Sequence, residues 1–394
     1  MNKFKEIRPY LDDEIRPVLD NLINNPELVS AIAGFYSPKL ARWFPACMRT
    51  VARHTLKRQL KGVHDVESVQ HVIARYMGKM IEDTTTSVTH SGMENLQDGN
   101  SYLFISNHRD ITMDPAFVNY MLYQAGHKTL QIAIGDNLLK KPYVSDLMRL
   151  NKSFIVKRSH KGRELLQSLT LLSEYIHYCI GSGQNVWIAQ REGRAKDGID
   201  KTDPTLLKML AMAERKQPLS ETLSKLHIIP VAISYEYDAC DVLKAEELYE
   251  IETQGSFTKT DKSDIHSIVT GMIGFKGQVH IAFGEELSIT SDDPDVIAAD
   301  IDTQILRNYR LRDINFLALE RLQEAGLMPL LAPNAEIEAV ETVLSSRTAF
   351  EQRLLQVDPK LHRHYLLSYA NSVLSFYRLQ FQDGKTEAET TSVS

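Results

Sequence analysis

The chain has 394 residues, of which 43% are hydrophobic and 24% are charged, and its formal net charge is -6. This length allows one large domain or two to three ordinary ones with a sizeable core, and the acidic balance excludes a globally basic nucleic-acid-binding protein. The three cysteines, Cys47, Cys179 and Cys240, are far apart and match no metal-binding spacing. We therefore predict a reducing compartment and no metal site.

Residues 1–96 are predicted to form a helical N-terminal region. The first residues lack the apolar core of a signal peptide, and no uncharged apolar run approaches the roughly 18 residues of a membrane span. Residues 39–64 contain seven Lys or Arg and no acidic residue, interleaved with Trp43, Phe44 and aliphatic side chains. This composition predicts a segment on an anionic membrane surface. The alternative is a packed helix with a solvated basic face.

Residues 97–290 alternate short apolar runs with helical patterns, which predicts an α/β domain with a central mixed sheet flanked by helices. The predicted strands are 102–106, 129–135, 154–157, 185–189, 228–234 and 278–283. Helices between them are predicted at 115–124, 163–180 and 205–215. Residues 291–382 are predicted to be a helical C-terminal region, with helices at 293–311, 314–325, 335–355 and 362–381. The polar residues 383–394 are predicted to be a disordered tail.

The strongest chemical signal follows the first of these strands. His108 lies directly after the apolar run 102–106, and Asp114-Pro115 is typical of a helix start, with Asp114 as N-cap. A neutral imidazole can take a proton from a hydroxyl near pH 7, and a carboxylate on its other nitrogen fixes the tautomer. Since the chain has no Gly-x-Ser-x-Gly motif, the nucleophile would be the hydroxyl of a substrate. The alternative is a helix cap beside a surface histidine.

Two further stretches have the composition of anion sites. Residues 151–163 contain five Lys or Arg, including Lys157 and Arg158, and no acidic residue, at a predicted strand-to-helix transition. Glu192 is flanked by Arg191 and Arg194 at a glycine-containing turn after another strand. A carboxylate can order two guanidinium groups for an anionic ligand. A solvated loop and a structural ion pair are the respective alternatives.

Together these stretches resemble the glycerol-3-phosphate / 1-acylglycerol-3-phosphate acyltransferase superfamily. The four matching blocks, in order, are Asn107-His108…Asp114, Phe154-Ile155-Val156-Lys157-Arg158, Glu192-Gly193-Arg194 and Ile229-Pro230-Val231. The residues after the fourth block look most like the bacterial glycerol-3-phosphate branch. Five residues rather than the family's four separate His108 from Asp114, so Asp110 is a second candidate partner. The third block is one residue short between Gly193 and Arg194.

The resemblance implies the glycerolipid acyltransferase fold and a role in phospholipid synthesis. His108 would be the general base, with Asp114 or Asp110 as its partner. The implied acceptor-binding residues are Lys157, Arg158, Glu192, Gly193 and Arg194. Acyl-CoA or acyl carrier protein would supply the acyl group, a phosphorylated glycerol would accept it, and no cofactor or metal would be required. The alternatives are acylation of another lysolipid, a hydrolase, and a non-catalytic lipid-binding protein on a degenerate acyltransferase fold.

Overall fold

The computed structural model describes residues 2–258, 260–327 and 343–391. The chain divides into two compact units. The first unit comprises Met1–Gly78 and Leu130–Ile176, and the second comprises Lys79–Thr129 and His177–Ser394. Residues 130–176, which the sequence assigns to the α/β domain, group with the N-terminal helices. No helix in the described part of the chain is both long and apolar enough to cross a membrane.

Helices precede, separate and follow the strands along the chain. The strands are β1 (Thr85–Ser91), β2 (Leu103–Ser106), β3 (Gln131–Gly135), β4 (Ser153–Val156), β5 (Val186–Ala189), β6 (Ile228–Tyr235) and β7 (Gly277–Phe283). The helices are α1 (Asp12–Asn24), α2 (Pro26–Tyr36), α3 (Pro38–Trp43), α4 (Pro45–Gln59), α5 (Val66–Thr84), α6 (Met113–Gln124), α7 (Pro142–Leu150), α8 (Gly162–Gly181), α9 (Pro204–Leu210), α10 (Leu219–Ser224), α11 (Asp241–Gln254), α12 (Asp261–Ile273), α13 (Pro294–Asn308), α14 (Asp313–Glu324), α15 (Leu344–Leu354) and α16 (His362–Thr391).

The first unit consists of the N-terminal helices and one pair of parallel strands. Helices α2, α3 and α4 each begin with a proline at the first helical position, which divides this region into short helices. Strands β3 and β4 pair in parallel from Ile132↔Ser153 to Gly135↔Val156. A hydrophobic cluster holds the unit together; its buried members are Ile15, Leu19, Leu22, Leu28, Val63, Val69 and Leu150.

The second unit contains five strands in the order β1-β7-β6-β2-β5. Strand β2 is parallel to both β5 and β6, β1 is parallel to β7, and β6 and β7 are antiparallel. All residues of β2 and β6 are buried, as expected for central strands covered on both faces. This arrangement confirms the predicted α/β class with a mixed sheet and helices at both ends of the chain.

Two sequence-based assignments differ from the structure, and a third lies partly outside the described residues. Strand β1 lies within the region predicted to be helical; its Thr-Thr-Ser-Val-Thr composition favours a strand, but mostly exposed side chains give it no apolar alternation. Helix α16 continues to Thr391 through the predicted disordered tail, and residues 392–394 lie outside the described residues. Of the predicted helix 335–355, residues 335–342 also lie outside them, and the remainder contains α15.

Helices α14, α15 and α16 share a core with α11 in the second unit. Buried side chains from these helices include Ala245, Leu317, Phe350, Tyr365 and Val373. At Gly198, in the loop after β5, φ is +80° and an added Cβ would collide with the backbone carbonyl of Ser368 in α16. Only glycine tolerates both the backbone conformation and the close approach. The C-terminal helix therefore packs directly on the loop that follows β5.

Candidate active site

The candidate general base lies at the carboxyl end of β2. The Nδ1 atom of His108 is 2.8 Å from Oδ2 of Asp114. The side chain of His108 is 14% exposed, whereas that of Asp114 is fully buried. Nδ1 of the imidazole thus contacts a buried carboxylate, while part of the ring remains exposed to solvent. This arrangement brings together the two residues that the sequence pairs across five intervening positions.

The carboxylate of Asp114 accepts hydrogen bonds from several donors besides His108. The backbone N–H groups of Arg109 and Asp110 donate to Oδ2 at 2.6 and 2.9 Å, and the hydroxyl of Tyr235 donates to Oδ1 at 2.7 Å. Burial, reinforced by the charge of Asp114, raises the pKa of Tyr235 well above its usual value, so its hydroxyl remains a donor. A carboxylate surrounded by donors accepts from Nδ1–H, which leaves the lone pair of His108 on Nε2.

Two predictions about the carboxylates are corrected by this geometry. Asp114 is not the N-cap of α6, because the helix begins at Met113 and the Asp114 side chain turns back onto the loop before it. Asp110 does not contact the imidazole; its Oδ1 accepts the backbone N–H groups of Thr112 and Met113, each at 2.9 Å. Burial, and then the charge of Asp114, raise the pKa of Asp110. Asp110 therefore orders the helix start rather than His108.

The backbone beside His108 is held by both neighbouring strands. The amide of Asn107 is buried and bonds both main-chain groups of Ile233 in β6: the Ile233 N–H donates to Oδ1 at 2.8 Å, and Nδ2 donates to the carbonyl at 3.0 Å. On the β5 side, Trp187 meets the imidazole edge-to-face at 5.9 Å and donates from Nε1 to Oγ of Ser106. These contacts restrict the orientation of the imidazole ring.

The loop after β5 carries three of the predicted acceptor-binding residues. Its Ala195 N–H donates to the carbonyl of His108 at 2.7 Å, so the loop lies beside the candidate base. Glu192 is exposed, and Gly193 adopts a φ of +78°. Nη2 of Arg194 is 3.4 Å from Oγ of Ser267, while its Nη1 is buried without a hydrogen-bond partner among the described residues. That nitrogen therefore keeps an unused hydrogen-bond donor.

Lys157 and Arg158, the other two predicted acceptor-binding residues, belong to the first unit and follow β4. The backbone N–H of Arg158 donates to Oδ1 of Asp136 at 3.1 Å. Burial opposes ionisation of Asp136, but hydrogen bonds from Ser159 and Arg158 outweigh it and lower the pKa of the carboxyl group. An added Cβ on Gly135 would lie 3.0 Å from Nε of Arg158. Gly135 thus allows the guanidinium to lie close to the end of β3.

The sequence does not identify two residues that contact the His108–Asp114 pair, Tyr235 and Trp187. Tyr235 directly follows the predicted strand 228–234, but its contact with Asp114 spans 121 positions. Trp187 lies in another predicted strand, and no local pattern shows that its ring meets His108. The signal that could identify both is position, since each lies at or near the carboxyl end of a strand next to β2. Within the described ranges, no three or more His, Cys, Asp and Glu side chains are grouped to hold a metal ion.

The sequence matches a family of known chemistry. A family model described as Acyltransferase matches residues 87–234, which include His108, Asp114 and the loop after β5. A protein named glycerol-3-phosphate acyltransferase from Pseudomonas aeruginosa PAO1 is 24% identical over 298 residues, covering 74% of this chain and 34% of that protein. Residues 87–234 are thus similar to known acyltransferases, which supports the resemblance to the glycerolipid acyltransferase superfamily.

Further similar proteins extend the comparison. The glycerol-3-phosphate acyltransferase of Pseudomonas fluorescens Pf0-1 is 28% identical over 199 residues, or 50% of this chain and 22% of that protein. The chain spans about one third of the length of the first curated relatives that it matches. Among solved structures, the 1-acyl-sn-glycerophosphate acyltransferase PlsC from Thermotoga maritima aligns with a TM-score of 0.36 and 11% identity, covering 71% of this chain and 92% of that one.

Proposed function

We propose that this protein is an O-acyltransferase that moves a fatty acyl group from a thioester donor to a hydroxyl of glycerol-3-phosphate or 1-acylglycerol-3-phosphate. The observation that carries the proposal is the His108–Asp114 pair, whose geometry leaves the lone pair on Nε2 of a partly exposed imidazole. The similar Pseudomonas proteins are named glycerol-3-phosphate acyltransferases, which favours glycerol-3-phosphate as the acceptor.

In the proposed reaction, Nε2 of His108 removes the proton of the acceptor hydroxyl as its oxygen attacks the thioester carbonyl carbon. A carbon–oxygen bond forms, and collapse of the tetrahedral intermediate breaks the carbon–sulfur bond. The imidazolium returns its proton to the departing thiolate, so the enzyme ends unchanged. Asp114 stabilises the imidazolium through Nδ1–H. General-base assistance of this kind contributes about 10²–10⁴-fold to the rate.

Acceptor recognition is proposed for the residues that match the family blocks. In the loop beside His108, the unpartnered Nη1 of Arg194 can donate to an acceptor phosphate, and Glu192 can accept a hydrogen bond from a glycerol hydroxyl. Gly193 allows the turn between them. Lys157 and Arg158 remain proposed acceptor-binding residues of the first unit. Arg158→Ala and Arg194→Ala should each raise KM for the acceptor at least tenfold and leave KM for the donor nearly unchanged.

The extra residue between His108 and Asp114 is the basis of the non-catalytic alternative. That residue does not separate the pair, because the loop accommodates it and the Nδ1–Oδ2 distance remains 2.8 Å. The observation supports an active enzyme over a binding protein on a degenerate fold. A different lysolipid acceptor and hydrolysis of the thioester are distinguished by the products.

The deciding experiment is a thiol-release assay with palmitoyl-CoA and, separately, palmitoyl-acyl carrier protein. Each donor is incubated with glycerol-3-phosphate, with 1-acylglycerol-3-phosphate and without acceptor, and lipids are resolved by chromatography. Thiol release that depends on an acceptor and gives the matching lipid supports the proposal and names the acceptor. Equal release without an acceptor indicates a hydrolase. Absence of release with both donors contradicts the proposed activity.

We also propose that the basic segment of the first unit binds an anionic membrane surface at the cytoplasmic face. None of the residues of α4 is buried, and the side chains of Leu40, Trp43, Phe44 and Val51 are 52%, 77%, 62% and 50% exposed. The seven cations of residues 39–64 surround them without an acidic residue. Cations attract anionic headgroups, and aromatic rings prefer the interface.

Vesicle co-sedimentation tests the membrane proposal. Binding should require anionic lipid, weaken with salt, and fall at least fivefold in the double variant Trp43→Ala/Phe44→Ala. The matched control is Ile273→Ala/Phe275→Ala, which removes two similarly exposed apolar side chains of the second unit. Binding that ignores lipid charge and salt, or equal losses in the two double variants, would contradict the proposal.

A further inference from the structure

A single carboxylate oxygen contacts both sequence neighbours of His108. Oδ2 of Asp200 accepts from Nη2 of Arg109 at 2.6 Å and from Nδ2 of Asn107 at 3.3 Å. All three side chains are buried, with exposed fractions of 0% for Asn107, 6% for Arg109 and 7% for Asp200. Asp200 lies in the loop after β5, 91 positions beyond Arg109. The residues before and after His108 in the sequence are therefore both hydrogen-bonded to Asp200 in the loop after β5.

Arg109 links this point to the C-terminal helices. The same Nη2 lies 3.1 Å from the carbonyl of Gly198 and 3.2 Å from Oγ of Ser372 in α16. The guanidinium also lies over the ring of Tyr309, 5.6 Å from its centre. A planar guanidinium can satisfy several partners and stack at the same time, which lysine cannot do. The side chain next to His108 thus touches three separate segments of the second unit.

Helix α16 holds the same loop independently of Arg109. Nδ2 of Asn371 donates to the carbonyl of Asp197 at 2.7 Å, and the backbone of Ser368 packs against Gly198. The loop in turn donates its Ala195 N–H to the carbonyl of His108. Tyr309 and α16 lie outside residues 87–234, which match the acyltransferase family model. Part of the support for His108 therefore comes from outside the matched segment.

We propose that Asp200 is a positioning residue, which acts through Arg109 and Asn107 to hold His108 in register with Asp114 and with the loop containing Glu192 and Arg194. The proposal deepens the proposed function and rests on it for its catalytic consequence. Loss of the Asp200 charge would leave the Arg109 guanidinium buried without its counterion and release one anchor of the loop. Since a displacement of about 1 Å can cost 10²-fold in rate, the effect should appear in kcat.

Asp200→Asn tests the proposal, because it keeps the side-chain shape and removes the charge. A second buried pair of the same unit provides the control: Asp241 is 2% exposed and contacts Arg353 at 2.8 Å, with no contact to the loop of His108. Asp241→Asn therefore measures the general cost of losing a buried carboxylate charge. Both variants are compared at a temperature where circular dichroism shows them folded.

Two measurements are made on each variant. Steady-state kinetics should show kcat about 10²-fold lower in Asp200→Asn, with KM for the donor within twofold, and kcat within about threefold of wild type in Asp241→Asn. Nitrogen-15 NMR of labelled histidine should show the Nδ1–H tautomer of His108 in wild type and Asp241→Asn, and mixed tautomers in Asp200→Asn. The His108 signal is assigned by its disappearance in His108→Gln.

The proposal is overturned if Asp200→Asn retains the wild-type kcat and tautomer, or if Asp241→Asn shows the same losses. Should Asp200→Asn not fold, Arg109→Lys replaces it; it keeps the charge pair but loses the planar contacts, and an unchanged tautomer would equally overturn the proposal. The NMR measurement needs no substrate. Absence of acyl transfer by wild type would therefore contradict the proposed function while the tautomer still decides the role of Asp200.

Discussion

The hydroxyl of Tyr235 donates to Oδ1 of Asp114 at 2.7 Å, while His108 uses the other oxygen of the same carboxylate. The two hydrogen bonds fix the carboxylate from opposite sides. Tyr235 is the last residue of β6, and Asp114 lies in the first turn of α6. The orientation of the His108 partner is therefore set jointly by a central strand and by the helix that follows β2.

Tyr235→Phe should lower kcat about tenfold with little change in KM. The variant removes one donor to a buried carboxylate, and hydrogen bonds to charged groups contribute about 1.5–3 kcal/mol. The expected loss follows because the carboxylate gains freedom to rotate away from His108. Steady-state kinetics on folded protein measure it. Tyr237→Phe is the control, since its ring packs beside Phe275; an equal loss there, or none in Tyr235→Phe, would contradict the prediction.

His108→Ala should lower kcat by about 10²–10⁴-fold without unfolding the protein. The imidazole is partly exposed and its removal leaves the hydrogen bonds of Asp114 to Arg109, Asp110 and Tyr235 in place. Circular dichroism and the thiol-release assay measure the fold and the rate. His90→Ala, at an exposed histidine of β1, should behave as wild type. A wild-type rate in His108→Ala would remove the general base from the proposed mechanism.

Asp114→Asn and Asp110→Asn should differ in their effects on the rate. Asp114→Asn is expected to reduce kcat at least 10²-fold, because an amide can present its NH₂ group to Nδ1 and favours the wrong tautomer. Asp110→Asn should stay within about threefold of wild type, since an amide oxygen can still accept the N–H groups of Thr112 and Met113. Equal losses in the two variants would show that the distinction drawn from their contacts is wrong.

Asp110→Asn should also change how stability depends on pH. The folded pKa of Asp110 is raised by burial and by Asp114, so the unfolded chain releases this proton at a lower pH than the folded one. Stability from Asp110 is present below the unfolded pKa and is lost as pH rises through the folded pKa. The free energy of unfolding of the variant, relative to wild type, should increase with pH. Urea denaturation at several pH values measures the difference; a constant difference would contradict the assignment.

His280 should destabilise the fold under mildly acidic conditions. Burial, followed by the nearby Arg310 and Arg312, lowers its pKa from 6.5 to about 4. Its nitrogens lie 2.8 Å from Oγ1 of Thr89 and 3.0 Å from Oγ of Ser91. Because the unfolded chain binds the proton more tightly, the free energy of unfolding should fall by about 3 kcal/mol as pH drops from about 6.5 to about 4.

A second buried group makes a difference measurement necessary. The pKa of Asp302 is raised to about 6, mainly by burial, and its contribution to stability is lost as pH rises from about 4 to about 6. The two groups therefore act in opposite directions over the same range. Subtracting the unfolding free energies of His280→Gln from those of wild type isolates the histidine. A difference that does not change between pH 4 and 6.5 would contradict the prediction for His280.

Much of the site can be predicted because its signals are local. Two strand ends can be recognised from adjacent residues alone. One is the apolar run of β2 followed by His108, and the other is the end of β5, which precedes the glycine turn at Gly193. Strand β1 is not predicted because it lacks such a local signal. It is an edge strand with few buried side chains, so its sequence shows little apolar alternation. The N-cap assignment of Asp114 is wrong because a local preference for capping is overridden by the hydrogen bonds that His108, Tyr235 and the loop backbone offer the same carboxylate.

The sequence by itself determined the α/β class, six of the strands and the position of His108 at a strand end, because periodicity and chain order are enough for these. Only the tertiary structure decided that Asp114 rather than Asp110 contacts His108, and that Tyr235 and Asp200 support the loop. The contacts of Tyr235 with Asp114 and of Asp200 with Arg109 join residues 121 and 91 positions apart. Such pairings arise from the order of strands in the sheet and the packing of α16, which no local pattern encodes.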